Sequence, residues 1–408
     1  MQNNDLAFLG GSPVVRRPYK SYKWNRLRDG LSVLKVIREG QMSGFLAQPN
    51  DSHLGGKWVR EVETLWEQHT STSFAVTFNS WTSGLEVAIA SAGLEVGSEV
   101  IVPSWTMSAT ISAIVKNSLK PSFIDIDSKT FNLDISKLEE VFSNRTQAVL
   151  AVDIFGYPCD AVEIEKFCKK KGLVFLIDAA QTPHAKNRLG KRNAEMSDIC
   201  GYSFNRHKHI QTGEGGIAVT SNKEFADKMR LYRNHFEVTK GIHNPKYVEL
   251  NKVGNNYRLG EIEALLAAKQ TLRVEKIVGD RRKFARDLIF ELSKYEYLQI
   301  TKMESWDSHD YYILGMIYDY KQTNVSRDVY VAALKAEGLK NVVSNYSDLH
   351  NHATFREYPR GDMSSTQELN NFSFIGLYIC GTRLSKREFT ETKKVFKKVN
   401  DNINALKH

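Results

Sequence analysis

Between Phe74 and Asp178 five short apolar-rich runs alternate with stretches of helical periodicity. That alternation limits the possible folds more than any other property of the chain. The runs are Phe74–Phe78, Glu99–Pro103, Ser122–Asp125, Ala148–Val152 and Val174–Asp178. Helices are expected between them over Leu85–Ala92, Ile111–Asn117, Leu138–Phe142 and Glu163–Lys171. Strands buried on both faces read as continuous apolar runs, so the pattern predicts an α/β protein with a mainly parallel sheet sandwiched by helices. In such sheets ligands collect beyond the carboxyl ends of the strands. That rule singles out the turn Asn79–Gly84, the strand-end carboxylate Asp178, and a polar loop carrying Lys208 between strands expected at Ile199–Phe204 and Gly216–Thr220.

At 408 residues the chain is too long for one simple core. An N-terminal arm and helix are expected over 1–50, with Trp24, Leu27, Leu31, Leu34 and Ile37 at helical spacing in Lys23–Gly40. The large α/β domain spans 51–260 and includes a helix over Trp58–His69, its inner face formed by Val59, Val62, Leu65 and Trp66. A long helical run from Gly260 to about Leu292 reads as a linking helix over 261–295. Mixed patterns at Tyr311–Ile317, Val325–Glu337 and Lys386–Val399 predict a smaller α+β domain over 296–408.

A lysine in a glycine-bearing loop can be desolvated, lose its proton and act as a nucleophile. Lys208 is followed by Gly213, Gly215 and Gly216; the same stretch also reads as a hairpin with a solvated lysine at its tip. A strand, a small-residue turn and a helix start form an anion site, so Asn79–Gly84 suits a phosphate. An ordinary Ser/Thr helix cap is the alternative there. The net charge of +9 fits an anionic substrate, and its even spread argues against nucleic acid. Four cysteines without CxxC pairing read as cytoplasmic thiols, with no zinc spacing. Met1–Pro18 lacks the apolar core of a signal peptide, and no run reaches the roughly 18–20 apolar residues of a membrane span.

Together these segments resemble the DegT/DnrJ/StrS family, sugar aminotransferases of the fold-type I pyridoxal-phosphate (PLP) enzymes. The resemblance rests on Asn79–Leu85, Val100–Thr106, Phe123–Asp127, Ile177–Gln181, Ser203-Phe204 with Lys208, Thr212–Gly216, and Asn256-Tyr257-Arg258. It implies a seven-stranded, mainly parallel sheet and a small C-terminal α+β domain. It makes Lys208 the lysine that forms the Schiff base with PLP and later carries protons. Asp178 becomes the partner of the pyridinium nitrogen, and Gln181 reaches the phenolic-oxygen side. Trp81 stands where the family has glycine, so only its backbone N–H is expected to serve the phosphate, alongside Thr82 and Ser203. Asn256 would reach the phosphate of a neighbouring subunit, which implies a homodimer with shared sites. Met107 occupies the position of the ring that usually covers the cofactor, with Trp105 as the alternative.

The implied reaction moves an amino group from L-glutamate or L-glutamine, by way of pyridoxamine phosphate, to a keto group on a nucleotide-linked deoxysugar or a cyclitol. Arg258, Tyr346, His350 and His352 are the candidate substrate contacts, and Phe236–Val253 a candidate covering loop. Relatives that dehydrate sugars carry histidine in place of the lysine; here His207 and His209 flank a lysine that aligns without a gap. Dehydration on the same fold and non-catalytic PLP binding are the rival readings.

Overall fold

The expected runs become strands β1 (Phe74–Phe78), β2 (Glu99–Pro103), β3 (Lys120–Ile124), β4 (Thr146–Val152) and β5 (Val174–Asp178) in the computed structural model. With β6 (Ile199–Ser203) and β7 (Gly216–Thr220) they form one seven-stranded sheet of order β1-β7-β6-β5-β4-β2-β3. The structure describes residues 6–46, 51–237, 252–300 and 305–407. Only β7 runs against its neighbours, because the loop carrying Lys208 turns the chain back as a hairpin with Ser203 opposite Gly216. Gly213 and Gly215, at φ of +94° and +147°, make that return possible. The register also sets Phe78 opposite Gly216, Asp178 opposite Gly201, and Val152 opposite Asp178. The ends of five strands are thereby brought to one edge, where the site lies.

The helices cover both faces. Helix α1 spans Leu27–Glu39, α2 Lys57–Thr70, α3 Trp81–Ala92 and α4 Ser108–Lys116. Val59, Val62 and Trp66 of α2 are buried against the sheet, as their spacing predicts, with Leu65 partly buried beside them. Helix α1 is shorter than expected and presents Leu27, Leu31, Leu34 and Ile37 outward, 87% to 52% exposed, with Asp29 and Val36 facing in.

The linking segment is two helices, Glu261–Thr271 and Val274–Leu292, where one was expected. At the break Arg273 leaves the helix and grips Asp29 of α1 bidentately, Nη1 to Oδ1 at 3.0 Å and Nη2 to Oδ2 at 2.9 Å. Beyond it the buried face passes from one core to another: Val274 and Val278 pack under the large sheet, Leu288 and Leu292 under the small one. The small sheet is antiparallel, ordered β10-β11-β9-β8, from β8 (Leu298–Ile300), β9 (Ile313–Tyr318), β10 (Val342–Val343) and β11 (Phe374–Tyr378). Helices Arg327–Ala336 and Lys386–Asp401 cover it.

The chain crosses between these cores at both ends. Leu6 and Val15 belong to the small core, where the Glu337 carboxylate accepts from Ala7 N at 2.8 Å and Val14 N at 3.0 Å. Leu349, Phe355 and Met363 join the large core instead. Among the described residues no helix is long and apolar enough to cross a membrane.

Candidate active site

The turn after β1 starts α3. Ser80 caps it, its Oγ accepting from Ser83 N at 3.1 Å. A twelve-residue helix gathers partial positive charge at this end, and Thr82 adds an exposed hydroxyl. Asn79 N donates to Tyr257 O at 2.9 Å, which draws Asn256–Arg258 alongside the turn. Asn256 is exposed there, and its Oδ1 accepts from Arg258 Nε at 2.8 Å. Ser203, at the end of β6, is partly buried and accepts from Asn205 N at 3.3 Å.

Asp178 ends β5 and is 7% exposed. Its Oδ1 accepts from Trp81 Nε1 at 2.9 Å and Ala180 N at 3.2 Å, and its Oδ2 from Thr110 Oγ1 at 2.9 Å. Two features here escaped the sequence reading. Trp81 serves with its side chain and not only its backbone. Thr110 is a direct partner of the carboxylate; its signal was the pair of hydroxyls one helical turn apart, Thr106 Oγ1 lying 2.9 Å from Thr110 Oγ1.

Lys208 is held by its backbone, its N–H donating to Asn205 O at 2.9 Å and its carbonyl accepting from Trp24 Nε1 at 3.0 Å. Its ammonium lies 4.5 Å from the centroid of the Tyr312 ring. Burial pulls the lysine pKa down, and the charge of Asp178 partly opposes that pull. Tyr312 comes from the small domain, 104 residues further along the chain, so no local pattern could have announced it. The flanking histidines point elsewhere. His209 is buried with Nε2 2.9 Å from Asp310 O, and His207 Nε2 accepts from Arg206 Nε at 3.2 Å.

Gln181 is buried beside this cluster, its Oε1 accepting from Phe155 N at 2.6 Å and its Nε2 3.4 Å from Tyr346 OH. Tyr346 stacks on Trp105 with centroids 6.4 Å apart. Trp105 itself is buried in the aromatic core with Phe131 and Phe374, whereas Met107 is 56% exposed at the start of α4. His350 is 1% exposed, its Nδ1 2.7 Å from Asp348 Oδ1 and 3.1 Å from Ser104 Oγ, so it ties its loop to the end of β2. His352 is exposed. Of the candidate covering loop, residues 238–251 lie outside the described residues.

Residues 46–373 match the model of the DegT/DnrJ/EryC1/StrS aminotransferase family. The chain belongs to that family. It is 32% identical over 228 residues to the GDP-perosamine synthase of Caulobacter vibrioides, covering 56% of this chain and 60% of that one. Among solved structures, DesI in the presence of its TDP-sugar product superposes with a TM-score of 0.84 at 24% identity, covering 98% of both chains. The E. coli GDP-4-keto-6-deoxy-D-mannose-3-dehydratase with bound hydrated PLP does so at 0.79 and 21%, covering 93% of this chain and 99% of that one.

PLP is the cofactor this family places here, and the residues fit it. A desolvated lysine is set for its aldehyde, a carboxylate with one uncommitted lone pair for its ring nitrogen, and a capped helix N-terminus for its phosphate.

Proposed function

We propose that this member of the family is an aminotransferase that moves the amino group of L-glutamate or L-glutamine onto a keto group of a nucleotide-linked deoxysugar. The observation that carries the reading is the Lys208 amine, desolvated by its surroundings and lying in the field of Asp178. PLP supplies a ring that takes up electrons from a neighbouring carbon. With PLP bound, Asp178 would hold a proton on the ring nitrogen, and Lys208 would hold the aldehyde carbon and carry a proton to and from the reacting carbon. The α3 N-terminus, Thr82 and Ser203 hold the phosphate, with the N–H of Trp81 among the donors. Gln181 faces the phenolic oxygen, and Met107 covers the ring. Arg258 binds a substrate carboxylate or phosphate, and Tyr346 lines the acceptor side.

The nucleotide-sugar acceptor is supported by the names of the relatives, a GDP-perosamine synthase and a structure with a TDP-sugar product. The charge of +9 agrees with a diphosphate substrate. Incubating the purified protein with PLP, glutamate and a nucleotide-linked keto sugar, and weighing the products by mass spectrometry, tests the reading. An amine-bearing sugar that depends on glutamate is expected, and Lys208→Ala should fold yet form none. A product that has lost water and needs no glutamate would make the protein a dehydratase.

We further propose a homodimer in the cytoplasm. The outward apolar stripe Leu27, Leu31, Leu34 and Ile37 supports a second copy covering α1, and the exposure of Asn256 agrees with its reaching a neighbouring subunit's phosphate. All four cysteines are buried thiols, in keeping with a reducing compartment. Light scattering is expected to give twice the chain mass, falling to one copy in Leu31→Glu/Leu34→Glu; an unchanged mass in that variant removes α1 from the interface.

A further inference from the structure

We infer that Trp81 is a positioning residue for the cofactor: its indole N–H orients the Asp178 carboxylate so that one oxygen stays available to a ring nitrogen. The inference rests on Asp178 being the partner of that nitrogen.

The geometry begins with Trp81 as the first residue of α3, buried although it opens a helix at the edge of the sheet. From there the indole passes β7 and β6 to reach the end of β5. The trough it lies in exists because Gly201 has no side chain, and Gly216 lets the backbone at the start of α3 come close to β7. A Cβ on Gly201 would overlap the indole ring, and one on Gly216 would fall 2.5 Å from Trp81 N. Gly201 is also the residue in register with Asp178, so the trough leads to the carboxylate.

The indole N–H is aimed, not merely accommodated. Trp66 and Trp105 are buried deeper than Trp81, yet their Nε1 atoms have no hydrogen-bond partner among the described residues. A tryptophan of this chain can therefore serve as apolar filling alone. Trp81 instead places its one polar atom 2.9 Å from Asp178 Oδ1.

The effect follows from counting lone pairs. A carboxylate offers about four acceptor sites, two on each oxygen. Trp81 Nε1 and Ala180 N occupy those of Oδ1, and Thr110 Oγ1 takes one of Oδ2. A single site remains, on Oδ2. Without the indole Oδ1 also has an open site, and either oxygen can meet the ring nitrogen.

A double-mutant cycle on the dissociation constant of PLP tests this, using the full chain, Trp81→Phe, Asp178→Ala and the double variant. Phe keeps an aromatic ring in the trough and removes the donor. Trp81→Phe alone should weaken PLP binding about tenfold, the scale of a hydrogen bond to a charged group. In the Asp178→Ala background it should weaken binding no further. An equal loss in both backgrounds, or no loss in the first, overturns the inference. If Asp178→Ala itself binds PLP as the parent does, the reading of Asp178 fails, and that outcome is distinct. A second measurement needs no Trp81 variant. By nitrogen-15 NMR of the apoprotein, the Trp81 indole proton should exchange at least about tenfold faster in Asp178→Ala than in the parent, with the Trp66 indole unchanged. Equal exchange rates for Trp81 in the two proteins would also overturn the proposal.

Discussion

Asp153 follows the last residue of β4, Asp178 is the last residue of β5, and the Asp153 N–H donates to the Asp178 carbonyl at 3.0 Å. Both carboxylates are held by several neutral donors. Asp153 accepts from Cys159 N at 2.9 Å, Asn193 Nδ2 at 3.0 Å, Thr182 Oγ1 at 2.8 Å and the Cys159 thiol. Asp153 is 2% exposed, none of these partners is a cation, and burial lifts its pKa to about 6 against the pull of its donors. Asp178 is 7% exposed and its field reaches a lysine. The number of donors thus does not distinguish a site from a structural carboxylate. The distinction is a cation and an opening: Asp153 faces back into the loops that brace the sheet, and Asp178 faces the edge where the strand ends meet.

Exchanging the two carboxylates for amides is the strongest way to break this comparison. Asp178→Asn should lower turnover at least about a hundredfold, because the ring nitrogen loses the anion that keeps it protonated. Asp153→Asn should leave turnover within about threefold and lower the thermal midpoint by a few degrees, since a buried amide would face donors it cannot accept from. The reverse pattern would assign the chemistry to the wrong strand end.

The pH dependence of stability sharpens the contrast, because the two regions carry opposite signs. Burial holds Lys208 below its ordinary 10.5, so between those values the unfolded chain binds more protons than the folded apoprotein. Stability there rises with pH. Lys208→Met, free of that charge, should be the more stable protein at neutral pH, with the gap narrowing as pH approaches 10.5. Asp153 acts in an acidic window: from 3.8 to about 6 the folded chain keeps a proton that the unfolded chain has lost. Its contribution therefore falls as pH rises through that interval, and Asp153→Asn should flatten the fall. Urea unfolding of the apoproteins across pH reads both slopes.

Thr110→Val should give the smallest effect. It removes one of three donors to Asp178 while keeping the branched shape, and turnover should drop about fivefold. A loss as large as that of Asp178→Asn would mean that Thr110 touches the reacting groups themselves.

Much of this architecture was legible before any coordinates. β1, β2, β5 and β7 were placed to the residue, because strands buried on both faces announce themselves as short apolar runs between turn residues. The places of the Lys208 loop, the Asn79–Gly84 turn and Asp178 at strand ends followed from the strand pattern and from ordered motifs. Less legible was the break at Leu272–Arg273, because both sides of it have helical composition and the partner of Arg273 there is Asp29, 244 residues away. The outward stripe of α1 was visible as spacing, but spacing does not say which way a helix faces. His350 was expected as a substrate contact, and its partners Asp348 and Ser104, which hold it buried, were not legible in the sequence.

By itself the sequence determined the order of strands and helices, the hairpin that presents Lys208, and the family, since each depends on short-range patterning or on motif order along the chain. The tertiary structure decided which side chains complete the site. Trp81 reaches Asp178 across 97 residues and Thr110 across 68, with donors that become partners only once β7, β6 and β5 lie side by side and Gly201 leaves room for the indole. A hydrogen bond depends on distance in space, and separation along the chain carries almost no information about it.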